Sequence, residues 1–243
     1  MSHKLIDIKV VEPSILAITI KNYKKRNALS DSIKIELEKI ALELRDNTEI
    51  IAIILSGEKG VFSSGNDLNE KNAFGEGLDL LKARQKNRLG LRMCDAWTNL
   101  PQITVASIEG DCIGGGVSLA LSCDFRFCSE NAYFFAPEVD LGITYSWGSI
   151  PKLVSLVGPA KAKLFALACK KIDAETALKW GLCEEITKDP FKLAKSFLND
   201  LAKKPIAAQQ MVKESINRQV AVNTISLLEQ DQVLLTKRDI NNN

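Results

Sequence analysis

Residues 104–116 read T-V-A-S-I-E-G-D-C-I-G-G-G, and V-S-L-A-L-S-C-D continues the stretch to Asp124. The spacing predicts a short apolar strand that ends at Gly110, followed by a helix that three consecutive glycines open. Glycine loses more backbone freedom on folding than any other residue, so three in a row are costly to order. They are tolerated where another segment or a ligand must approach the main chain closely, at the positive end of a helix dipole. Residues 114–116 therefore either display N–H groups to an oxygen atom or mark a tight helix–strand packing point with no ligand.

Upstream, E-I-I-A-I-I-L-S at 49–56 is nearly continuous apolar, as expected of a buried, parallel strand. It breaks at Gly57 and Gly60, and F-S-S-G-N-D-L follows at 62–68. I-L-A-I-T-I at 15–20 predicts another strand, leading into a basic turn, K-N-Y-K-K-R, and then N-A-L-S-D-S. Ser30 or Asp31 is placed to cap a helix in which Ile33, Leu37, Ile40, Ala41 and Leu44 recur to about Arg45. Residues 71–97 are charged, with two glycines near the start and leucines later at helical spacing, which predicts a mobile loop leading into a helix.

Downstream, 125–128 reads as a short strand. A-Y-F-F-A-P-E-V-D-L-G-I-T-Y-S-W-G at 132–148 reads as strand and loop, holding the acid Glu138 between a proline and apolar residues. Residues 160–169 predict one helix, and 174–180 another that Gly181 would cap. Two or three more helices are expected over 191–238, one beginning at Pro205. Alternating strands and helices with short links indicate an α/β domain over 1–187, with a helical region over 188–243. Ile225, Leu227, Leu228, Val233 and Leu234 form an amphipathic pattern suited to a buried face, and the closing N-N-N is expected to be disordered.

The 243 residues are 46% hydrophobic, enough for one sizeable core, and carry a net charge of +2. Scattered lysines without interleaved aromatics point to no nucleic-acid partner. No apolar run approaches the roughly 20 residues a bilayer span requires, and the start of the chain shows no secretory signal. Six cysteines without a C-x-x-C pair suit reduced, buried thiols of a cytoplasmic protein better than disulfides or zinc.

The one histidine, His3, falls at a terminus expected to fray. Ser-His-Asp and Cys-His nucleophiles, H-E-x-x-H zinc sites and histidine bases are therefore excluded. Proton chemistry, if present, falls to carboxylates, lysines or tyrosines. The absence of G-x-G-x-x-G and of a P-loop argues against nicotinamide and nucleoside triphosphate cofactors.

K-K-R-N-A-L-S at 24–30, F-S-S-G-N-D-L at 62–68, I-G-G-G at 113–116 and P-E-V-D-L-G at 137–142 together resemble the crotonase superfamily, the enoyl-CoA hydratases and isomerases. The match runs in order along nearly the whole chain. It implies a crotonase-like (ClpP/crotonase) α/β fold of repeated ββα units with a C-terminal helical region. That region would cover the site and pack subunits into a homotrimer or homohexamer.

The resemblance also implies an acyl-CoA substrate, whose thioester oxygen becomes an enolate held by the backbone N–H groups of Asn66 and Gly115. Coenzyme A would enter only as part of the substrate, with no separate cofactor and no metal. Backbone donors have no pKa and need no rearrangement as charge develops. Glu138 aligns with a catalytic acid of the family. Lys25 and Arg26 align with the turn that meets the CoA phosphates. Ser64, Gly65, Asp67 and Leu68 would lie near adenine and pantetheine, and Gly114 would lie beside the hole.

Hydratases of the superfamily carry a second glutamate, and Ser118 stands at that position. One isomerase branch works with a single glutamate where Glu138 stands; another keeps it a few residues later, where this chain has Ser146. The single aligned acid tilts the reading toward double-bond isomerisation. Hydration stays open if Asp111, Asp140 or a water held by Ser118 supplies the missing group. Decarboxylation, thioester hydrolysis and a catalytically weak acyl-CoA-binding scaffold are further alternatives. Tyr145 and Trp147 either line the acyl pocket or simply pack, and Asp124 is expected to satisfy backbone donors at a turn.

Overall fold

The structure, a computed structural model, describes residues 5–222. His3, the pattern at 225–234 and the N-N-N end lie outside the described residues. Strands β1 (Ile6–Glu12) and β2 (Ile15–Ile20) form an antiparallel hairpin. A 3₁₀ turn at Tyr23–Lys25 leads to helix α1 (Asp31–Leu44), which Ser30 caps by accepting from Ile33 N–H. Then come β3 (Ala52–Gly57), α2 (Leu80–Asn87), α3 (Leu89–Thr98), β4 (Ile103–Ile108), β5 (Asp111–Ile113), the six-residue α4 (Gly115–Ala120), β6 (Phe125–Ser129) and β7 (Tyr133–Phe135). The remainder is α5 (Ser149–Val157), α6 (Pro159–Ala162), β8 (Ile172–Asp173), α7 (Ala174–Trp180), β9 (Glu185–Thr187), α8 (Pro190–Ala202) and α9 (Ile206–Val222).

Six strands form one sheet in the order β1-β2-β3-β4-β6-β9, parallel from β2 onward, and β5-β7-β8 form a second. The apolar run at 49–56 is central: Ile53, Ile54 and Leu55 are inaccessible to solvent, as parallel pairing on both edges requires. One face of the sheet packs on α1, α3 and α4; the other takes α8, whose Ala194 and Leu198 meet Ile15, Ile54, Val105 and Phe127. The loops after β2, β3 and β4 gather at the carboxyl ends of parallel strands, where α/β sheets place their ligands.

Two expectations need correction. Strand β4 stops at Ile108 rather than Gly110, because Gly110 turns at positive φ to start the second sheet. The single helix predicted over 160–169 is α6 followed by a π turn at Lys163–Leu167. Residues 71–97 contain turns and then two helices, α2 and α3. Helix α7 and its Gly181 cap fall where the sequence puts them.

All six cysteines are free thiols, and all but Cys169 are buried. Burial pushes the Cys94 thiol up to about 11 and Cys123 to about 12, and holds Cys112 well above its ordinary value. Among the described residues no helix is long and apolar enough to cross a membrane.

Asp124 ties the two ends of the domain together. Its Oδ2 accepts from Thr104 N–H (2.7 Å), from Thr104 Oγ1 (3.0 Å) and from Lys213 Nζ on α9 (2.7 Å). Lys213 also donates to Gln102 O. Asp124→Ala should therefore leave a buried ammonium uncompensated, at a cost of about 3 kcal/mol. Calorimetry is expected to show Tm falling by roughly 6–12 °C for a chain of this size.

Candidate active site

The F-S-S-G-N-D-L segment is stitched to neighbours on both sides. Toward the basic turn, Ser64 N–H donates to Arg26 O, Leu29 N–H to Gly65 O and Asp67 N–H to Leu29 O. Toward the second sheet, Ser63 N–H donates to Asp111 O and Ile113 N–H to Ser63 O. Ser63 Oγ donates to Asn27 O at 2.8 Å and accepts from Gly65 N–H at 3.1 Å. Asn27, fully buried, donates from Nδ2 to Glu58 O and Val61 O, pinning the exit of β3. Part of the R-N-A-L motif is thus a structural clamp.

This stitching decides where Asn66 points. Its flanking residues use their backbone groups on Leu29 in a parallel bridge, so the N–H of Asn66 itself faces the opposite way. Gly115 is the first residue of α4, and its N–H has no acceptor within the helix. Among the described residues neither N–H donates to a protein acceptor. Gly65 brings the two together: a Cβ there would lie 3.1 Å from Gly115 N and 2.6 Å from Ile113 O.

Each glycine of the triplet has its own close neighbour. A Cβ on Gly114 would come within 2.8 Å of Glu138 Oε1, one on Gly115 within 2.3 Å of the Trp147 ring, and one on Gly116 within 2.7 Å of Ser63 O. Close packing and displayed N–H groups, set out above as alternatives, therefore coexist.

A cavity of about 90 Å³ opens here. Ser64, Gly65, Asn66, Leu68, Gly114, Gly115, Ser118, Glu138, Ser146 and Trp147 all line it. The predicted residues outside it are Lys25, Arg26, Asp67 and Tyr145. Lys25 reaches Asp67 at 2.7 Å, and Arg26 holds Asp111 and donates to Tyr133 Oη. Both cations keep about half of their side-chain surface exposed, beside the cavity's 64–68 wall. Asp111 is consequently engaged outside the cavity, and Asp140 is exposed away from it. Tyr145 is buried behind the site, and its hydroxyl makes no hydrogen bond.

Glu138 follows Pro137 in a tight turn where Leu141 and Ile143 N–H donate to its carbonyl. Its side chain points inward. Oε2 is buried without a hydrogen-bond partner, and burial pushes the carboxyl up to about 7. Among the described residues no other acid lines the cavity. Ser118, where the resemblance puts a second acid, lines the cavity, and Ser149 Oγ lies 2.6 Å from both Ser118 Oγ and Ser146 O.

Several lining residues escaped the sequence reading: Ala73, Phe74, Asn87, Gly90 and above all Lys34. Gly90 on α3 and Gly115 on α4 hold the Trp147 indole between them; a Cβ on Gly90 would fall 1.9 Å from the ring. Lys34 is 4% exposed and donates to Asn66 Oδ1 at 2.9 Å. Burial lowers its pKa against the opposing pull of Asp31. Its signal was present in the sequence, since position 34 falls on the apolar face of α1 with Leu37 and Ala41.

The chain is similar to several known proteins. The family model described as Enoyl-CoA hydratase/isomerase matches residues 11–241. The short-chain-enoyl-CoA hydratase of Clostridium acetobutylicum is 33% identical over 213 residues, covering 85% of this chain and 79% of that protein. The peroxisomal Delta(3,5)-Delta(2,4)-dienoyl-CoA isomerase of Arabidopsis thaliana is 35% identical, covering 76% of this chain and 70% of its own length. The ethylmalonyl-CoA decarboxylase of Bos taurus is 30% identical, covering 87% and 70%. Among solved structures, Pseudomonas aeruginosa DspI superposes with a TM-score of 0.83 at 28% identity, over 95% of this chain and 88% of that one. An enoyl-CoA hydratase/isomerase from Mycobacterium paratuberculosis gives 0.86 at 23% identity, over 96% and 91%. With these motifs, this fold and these relatives, the chain belongs to the enoyl-CoA hydratase/isomerase family.

Proposed function

We propose that the protein moves a double bond in an acyl-CoA thioester, converting a 3-enoyl to a 2-enoyl compound. The observation that carries this reading is the single carboxylate that lines the cavity among the described residues, Glu138, half-buried, with Oε2 buried and unpaired, and about half ionised near neutral pH. The thioester oxygen sits between the N–H groups of Asn66 and Gly115. Glu138 removes a proton from C2, and the electron pair moves into a dienolate whose negative oxygen the two donors hold. The protonated Glu138 returns that proton to C4, leaving the double bond between C2 and C3. The proton count closes on one group, so no second acid is needed.

The CoA portion lies along the basic turn, with Lys25 and Arg26 toward its phosphates and residues 64–68 along the pantetheine. The ion pairs of both cations with Asp67 and Asp111 keep them oriented beside the cavity.

Incubation with a 3-enoyl-CoA and, separately, a 2-enoyl-CoA in ¹⁸O-labelled water tests the reaction by mass spectrometry. Conjugation of the first without label uptake is expected. Rapid label uptake by the second would make the protein a hydratase, with Ser118 and Ser149 the groups to examine for a held water. Silence with both would replace isomerisation by another reaction of the family or by a binding role.

A further inference from the structure

Only two charged side chains line the cavity among the described residues: Glu138 and Lys34. Glu138 is the base of the proposed reaction, and that reaction gives Lys34 nothing to do. Taking a lysine out of water is expensive, so a buried one that faces a ligand cavity calls for an explanation.

The explanation is not pairing alone. Lys34 Nζ lies 2.7 Å from Asp31 Oδ1, but Lys86 on α2 also reaches that carboxylate. Asp31 would keep a cationic partner if Lys34 were apolar. The other acid nearby, Glu70, accepts from Asp31 N–H at 2.9 Å. Asp31, Glu70 and Lys86 all stand outside the cavity lining, so the face turned to a ligand is the ammonium.

An ammonium has three donors. One goes to Asn66 Oδ1 and Asp31 takes the ion pair, which leaves an N–H without a protein acceptor among the described residues. The Trp147 ring, centred 5.6 Å away, screens this charge from water. The location is also specific. Asn66 provides one donor for the thioester oxygen from its backbone, while its side chain contacts Lys34; Trp147 packs on Gly115, which provides the other. Lys34 therefore sits one asparagine side chain and one hydrogen bond away from where the thioester carbonyl binds, a reach that fits a short acyl group.

We infer that Lys34 selects acyl groups carrying a second carboxylate, so that the preferred substrates are CoA thioesters of short dicarboxylic acids. This inference rests on the acyl-CoA reading of the site but not on which bond the enzyme rearranges. A neutral acyl chain would leave the remaining N–H of the ammonium without an acceptor. A terminal carboxylate would meet it with a charge-assisted hydrogen bond.

Calorimetric titration with glutaryl-CoA and butyryl-CoA tests it, since both are saturated and bind without isomerising. The wild-type protein is expected to bind glutaryl-CoA about tenfold or more tightly than butyryl-CoA. Lys34→Met should abolish that preference while binding butyryl-CoA at least as well, and Lys34→Arg should retain a preference for the dianion. Equal affinity for the two thioesters in the wild type overturns the inference, as does a preference that survives Lys34→Met. Binding of neither thioester overturns the acyl-CoA reading itself, and this inference with it. Should Lys34→Met fail to fold, Lys34→Gln, which removes the charge but keeps a polar group toward Asn66, takes its place with the same two readings.

Discussion

Glu138→Gln is expected to lower kcat for 3-enoyl-CoA isomerisation by about 10³-fold, the scale on which a positioned acid–base group contributes. The amide keeps the shape and polarity of the side chain against Gly114 but cannot accept the C2 proton. Thioester binding should persist, because the Asn66 and Gly115 donors are untouched, so the loss appears in kcat with little change in KM. Activity retained in this variant would remove Glu138 from the role of base.

The pH dependence has two opposite signs. The proposed proton transfer needs the carboxylate, so kcat/KM should rise with pH through about 7 and level off above it. Stability runs the other way. Burial raises the folded-state value from 4.5 to about 7, so the folded chain binds more protons than the unfolded chain between those limits. The contribution of this one carboxyl to stability is therefore greatest below about 4.5 and is lost as pH rises from there through about 7, by on the order of 3 kcal/mol at most. Glutamine has no such slope. Thermal melts should show Glu138→Gln gaining on the wild type between about pH 5 and about pH 8.

Gly65→Ala is expected to cost about 10²-fold or more in kcat, close to the loss of one oxyanion donor. Two separate penalties converge there. Gly65 has φ +86°, a region that L side chains rarely adopt, and the new Cβ would meet Ile113 O at 2.6 Å. The obstacle is backbone in the short strand β5, which has no rotamer to yield. The strand and the 63–67 segment must separate, and Gly115 N–H moves out of line with Asn66 N–H. Kinetics on the purified variant should show kcat falling along with Tm. A variant with normal kcat would mean that the two N–H groups do not act on the substrate together.

Much of the site was legible because its parts are local. The glycine triplet, Asn66 and Glu138 each sit in a short stretch whose residue types have few other uses, and the order of these stretches restricts the fold. The clamp role of Asn27 was not legible, since its acceptors Glu58 O and Val61 O lie more than thirty residues away. Trp147 could equally line a pocket or pack, and its setting depends on Gly90, a residue unremarkable within its own helix. Lys34 was legible in principle from its place on an apolar helix face, but which neighbour justifies a buried charge is a tertiary fact. Residues 71–97 stayed opaque for the same reason: Ala73, Phe74, Asn87 and Gly90 reach the cavity from turns and helices with no shared periodicity.

The burial of Cys112 has a consequence for self-damage. A thioester is an activated acyl donor, and a protein thiolate beside it would take the acyl group by exchange. Cys112 belongs to the strand that runs straight into the glycine triplet and is bridged to Ser63, so it is the sulfur nearest the reacting carbonyl in the chain's own order. It is inaccessible, and its thiol is held protonated far above neutral pH. Under the proposed reaction, Cys112 therefore escapes acylation by one thioester after another, because packing has made this sulfur chemically silent.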